Sequence, residues 1–66
     1  MNSYVVTGGR RFQAIVEANS AMQAAKKYLG TNRVVRVSSD STWDCWVRKV
    51  ENSLDAKSST LYYKVV

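Results

Sequence analysis

Few side chains in this chain of 66 residues are equipped for chemistry, and most of those are cations or aromatic rings. Ten Lys and Arg stand against five Asp and Glu, a formal net charge of +5. There is no histidine and one cysteine, Cys45. Without an imidazole, histidine-based acid–base catalysis is excluded. One thiol and scattered carboxylates do not make an ordinary ligand set, so no metal or other cofactor is expected. A disulfide within the chain is impossible for the same reason. Cys45 lies between Trp43 and Trp46 with no base to draw off its proton, and it reads as a small core residue. Asp44 and Glu51 make a poor catalytic pair because nothing else supplies a substrate pocket. Gly8-Gly9 is not a phosphate loop, since no helix follows directly and the Lys-Ser/Thr signature is missing. The expectation is a binding protein and not an enzyme.

Two groups of residues suit binding. Arg10 and Arg11 follow Gly8-Gly9 at the tip of an expected hairpin, where guanidinium groups can grip oxyanions in a bidentate fork. A charged loop tip that merely aids solubility is an equally good account of them. The second group comes from strand alternation, which puts Ile15, Val34, Arg36, Trp46, Arg48, Tyr62 and Lys64 on one sheet face. Trp43, Cys45, Val47, Leu61, Tyr63 and Val65 then fall on the other, beneath a helix. Rings stack on bases for roughly 1–3 kcal/mol each while cations neutralise phosphates, so the first face has the makings of a nucleic-acid platform. Long basic side chains also snorkel over apolar neighbours on any solvated sheet, and Trp and Tyr are favoured at protein interfaces as well. Lys26 and Lys27 read as a solvated helix face near the negative end of the helix dipole.

The elements that must position these residues follow from periodicity. Strands are expected over residues 4–7, 12–18, 33–37, 42–50 and 60–66, with a polar loop over 52–59. Phe12, Ala14, Val16 and Ala18 share one face of the second strand. Asn19 or Ser20 caps a helix whose stripe is Ala21, Ala24, Ala25, Tyr28 and Leu29, and Gly30 stops it. The order is ββαβββ, an α+β fold in one domain spanning residues 1–66. A mainly antiparallel five-stranded sheet carries one helix on one face. No apolar run approaches the roughly 20 residues of a membrane span, and no signal segment is evident, so a cytoplasmic protein with no membrane partner is expected. A domain this small buries only about 60% of its unfolded surface. Its stability must come from a well-packed helix and sheet, or from pairing with a second copy or another protein.

The stretch Phe12-Gln13-Ala14-Ile15-Val16-Glu17-Ala18-Asn19-Ser20-Ala21-Met22-Gln23-Ala24-Ala25-Lys26-Lys27 is a strand feeding an alanine-rich helix. With the Trp-containing strand near Trp46, it resembles small phage-encoded anti-CRISPR proteins, one type of which has the same ββαβββ order in a chain of similar length. The likeness covers about half of the chain. It implies a non-enzymatic inhibitor, acting in the host cytoplasm, that docks on a CRISPR surveillance complex near its RNA- or DNA-handling surface. The leading expectation is therefore an inhibitor of a host nucleoprotein complex that binds through Arg10, Arg11, Arg36, Trp46, Arg48, Tyr62 and Lys64. Direct DNA or RNA binding is the second expectation. A structural protein that homodimerises over its open face is the third.

Overall fold

In a computed structural model, which describes residues 1–8, 11–50 and 60–66, the expected ββαβββ order is found. Strands β1 (Asn2–Gly8) and β2 (Arg11–Ala18) form a hairpin, followed by helix α1 (Ala21–Leu29) and strands β3 (Val34–Val37), β4 (Cys45–Lys49) and β5 (Leu61–Val65). All pairings are antiparallel, in the order β2-β1-β4-β5-β3. The sheet is built around β4, which joins the β1–β2 hairpin to the β5–β3 pair. Gly9, Arg10 and the expected loop over 52–59 lie outside the described residues, and of Arg11 only the backbone is described.

The helix forms as its local signals require. The Ser20 hydroxyl accepts from the Gln23 amide at 3.2 Å, and Gly30 adopts a left-handed φ of 73° and donates to the Lys26 carbonyl. Ala24 and Ala25 are fully buried, with Ala21, Met22, Tyr28 and Leu29 packed around them. Beneath lie Tyr4, Val6, Cys45, Val47 and Tyr63, while Ala18 and Val34 complete the core toward its sides. Small residues at 18, 24 and 25 let the helix sit close to the sheet, which replaces the bulk a larger core would supply. Among the described residues, no helix is long and apolar enough to cross a membrane.

Three details depart from the periodicity. Gly8 is not a turn residue. It continues β1, paired to Arg11 on one side and Cys45 on the other. Its glycine is required by close approach, since a Cβ there would stand 2.9 Å from the Asp44 carbonyl oxygen and 3.0 Å from the Tyr28 ring. The Gly8 amide donates to the Tyr28 hydroxyl at 3.1 Å, and that hydroxyl donates to the Phe12 carbonyl at 2.8 Å, so one side chain ties the helix to both hairpin strands. Phe12 does not join Val16 and Ala18 against the core but is 97% exposed. From Val6↔Ala14 to Gly8↔Arg11, β2 advances one residue more than β1, a bulge that interrupts the alternation between Arg11 and Ala14, where Phe12 lies. Strand β4 begins only at Cys45, three residues later than expected, which changes where Trp43 goes.

Two substitutions test this packing. Ala25→Asp places an uncompensated charge against the sheet and is expected to unfold most of the population in a thermal melt, because the cost of a buried unpaired charge approaches the whole stability of so small a domain. Gly8→Ala is expected to lose roughly 1–3 kcal/mol in urea denaturation, the usual cost of overpacking against backbone. Unchanged stability in either variant would mean that the helix does not lie on the Gly8 side of the sheet as described.

Candidate binding face

Directly paired residues share a sheet face, so the register sorts the side chains. Thr7 pairs Trp46, Trp46 pairs Tyr62 and Tyr62 pairs Val37 in one row across the face opposite the helix. A second row runs from Ile15 through Val5 to Arg48, and Lys64 pairs Val35 on the far side of the Trp46 row. No described element covers this face, and Ile15 is 67% exposed and Val35 41% exposed.

Of the expected site residues, Trp46, Arg48, Tyr62 and Lys64 are brought together on this open face, with Ile15 at its far side. Val34 and Arg36 are not. Val34 pairs Val65 and is a buried core residue, and Arg36 pairs Tyr63 on the helix side of the register. The electrostatics agree: burial raises the Tyr63 hydroxyl above its ordinary pKa, and the Arg36 charge pulls it partly back. At the β3 edge, Arg36 is also among the residues that line the depression described below. Arg10 and the side chain of Arg11 fall outside the described residues. Trp43, expected beneath the helix with Cys45 and Val47, stacks instead against Tyr62, ring centroids 5.2 Å apart and planes tilted by 56°. The alternation does not extend to it because residues 42–44 are not strand. There the Asp44 amide donates to the Tyr63 carbonyl at 2.8 Å, and its carboxylate accepts from the Val65 amide at 2.7 Å.

The open face is therefore organised around rings. Arg48, two residues beyond Trp46 on the same face, lies over the Trp46 ring with Cζ 4.6 Å from its centroid. Its Nε donates to the Thr60 hydroxyl at 3.2 Å, which holds the guanidinium in place. A pair of this kind contributes about 0.5–2 kcal/mol, more as it is desolvated. Beside it, Arg36, Ser38, Ser39, Trp46, Arg48 and Tyr62 contribute to the lining of an open depression of ≈ 560 Å³. Trp43, Thr60 and the two serines escaped the sequence reading, since a polar turn and a strand start carry no local sign of what they will face.

The cysteine behaves as a core group. Cys45 is fully buried, and burial, helped by the Asp44 carboxylate, pushes its thiol up to about 11. Among the described residues there is no group of three or more His, Cys, Asp or Glu placed to hold a metal ion. Because the folded thiol keeps its proton above the usual value of 9.0, the folded state binds that proton more tightly than the unfolded chain. The thiol's contribution to stability is thus complete below about pH 9 and lost as pH rises toward about 11. Urea titrations at a series of pH values are expected to show this loss in the wild-type chain and a shallower one in Cys45→Ala. Identical slopes would place the thiol in contact with water. Comparison with family models, with curated proteins and with solved structures returns no match.

Proposed function

We propose that this chain is a non-enzymatic binding protein that docks its open sheet face on another protein. The surface it meets belongs to a nucleic-acid-handling host complex, as the likeness to phage inhibitors implies. The observation that carries this reading is the state of the rings. Trp46 is covered by Arg48 and Tyr62 is engaged by Trp43, all on a face that no described element covers. Prearranged Trp, Tyr and Arg at the centre of a partly apolar face have the composition of an interface hot spot. Val5, Ile15, Val35 and Val37 give that centre an apolar surround.

Direct binding of DNA or RNA is the second reading, favoured by the net charge of +5 and by Arg48 and Lys64 on the open face. It is the weaker of the two. Nucleic-acid grooves set rings out for successive bases and line a backbone track with cations. Here the rings engage one another and Arg36 sits on the other side of the register.

Capture from a bacterial lysate, with and without nuclease, separates these readings. The docking reading expects a protein partner retained after nuclease, and Trp46→Ala is expected to weaken its binding by at least about 1–2 kcal/mol. Steep salt dependence on naked DNA or RNA, with Trp46→Ala neutral, would transfer the function to the nucleic-acid reading, because each neutralised duplex phosphate adds about −0.9 to the slope of log affinity against log salt. Concentration-dependent self-association that hides Trp46 would instead favour the homodimer.

A further inference from the structure

Arg48 presents a cation that the fold has already oriented. Its Nε is engaged by the Thr60 hydroxyl at 3.2 Å, and its plane is held over Trp46. The two Nη nitrogens make no hydrogen bond to any described residue. They are the end-on fork that binds both oxygens of a carboxylate at once. Fixing that fork in the free protein removes most of the ordering cost that a surface arginine meets on binding. Arg36 is also among the residues lining this depression, at its β3 edge, and the Ser38 and Ser39 segment and Tyr62 complete its wall. Among the described residues, no Asp or Glu lines the depression, and Asp40, in the adjoining turn, is not part of its lining. Among its described lining, the depression thus holds an oriented cation, Arg48, with a ring beside it.

We infer that this groove is a carboxylate-binding site, and that the segment docked there is an acidic stretch of a partner protein. The inference rests on docking through the open face and adds the chemistry of what docks. Charge complementarity selects the occupant. A second copy of this chain brings its own excess of cations, +5 against +5. A polynucleotide finds Trp46 covered and Tyr62 engaged, with only Arg48 and Lys64 placed on this face by the register. An Asp- or Glu-rich segment needs only the fork and a few neighbouring hydroxyls.

The test uses the full chain, labelled with ¹⁵N, and follows the Trp46 indole and Arg48 Nε–H signals at low salt. Acetyl-hexaglutamate amide is expected to shift both signals saturably, and acetyl-hexaglutamine amide neither. Arg48→Lys keeps the charge and loses the fork, so it is expected to weaken the glutamate peptide at least about tenfold while melting normally. Should the lysine variant melt early, Arg48→Gln with a normal melt serves the same purpose. The double variant Lys26→Gln/Lys27→Gln is expected to bind within about twofold of wild type, which separates a site from general attraction to a basic protein. Unmoved signals, an undiminished Arg48→Lys, or equal loss in the lysine double variant would overturn the inference. Tighter binding of hexathymidylate to the same signals would overturn it too, by assigning the groove to phosphate. A silent glutamate peptide beside Trp46-dependent partner capture removes the carboxylate inference alone. Partner capture that ignores Trp46 removes the docking reading instead.

Discussion

A helix of nine residues is only about 13 Å long, whereas five strands at about 4.8 Å spacing spread over about 19 Å between the outermost axes. One such helix can cover one face of the middle of the sheet and none of the other. That constraint governs the rest of the molecule. The covered face is made of Ala, Val and Cys around Tyr4 and Tyr63, and the helix approaches it closely enough that Gly8 has no room for a Cβ. Tyr28 fastens the arrangement by bonding to backbone groups of both hairpin strands. The other face has to find partners for its large side chains without a second layer. It does so by packing rings and a guanidinium against one another across that face.

How much of this was legible depended on how local each signal was. The helix was legible but for the choice between Asn19 and Ser20 as its cap, because its stripe, its cap and its Gly30 stop lie within a dozen residues and each acts through the backbone beside it. The alternation also sorted Cys45 and Val47 from Trp46 and Arg48, and Tyr63 from Tyr62, since these sit inside unbroken strands. It failed wherever the strand was broken or its phase came from elsewhere. A bulge separates Phe12 from its expected companions, and Trp43 lies before β4 begins. The phase of β3 is set by its pairing with β5, 25 to 31 residues along the chain, so alternation alone puts Val34 and Arg36 on the wrong face. Strand order is wholly a matter of such long-range pairing and has no signature in a single segment.

The same distinction bears on function. Residue types identified the aromatic and basic content of the open face, but composition cannot say whether a ring is free to stack on a base or already engaged. Register and ring contacts supply that difference, and they turn a general basic–aromatic surface into a Trp46–Arg48 centre flanked by Trp43 and Tyr62. Thr60 completes the centre, although on its own it is only a polar residue at the start of a strand. Such a centre reduces the cost of ordering side chains on association, which favours tight protein docking from a small surface.

Hydroxyl-radical footprinting of the chain, free and in complex with the partner it captures, tests the central claim most directly. The claim is that the face left uncovered by the helix is the face that binds. Trp43, Trp46 and Tyr62 are expected to lose reactivity in the complex, while Met22 on the helix keeps its own. Protection of Met22 with the three rings unchanged would contradict the account, because it would place the partner on the helix and leave the open face unused.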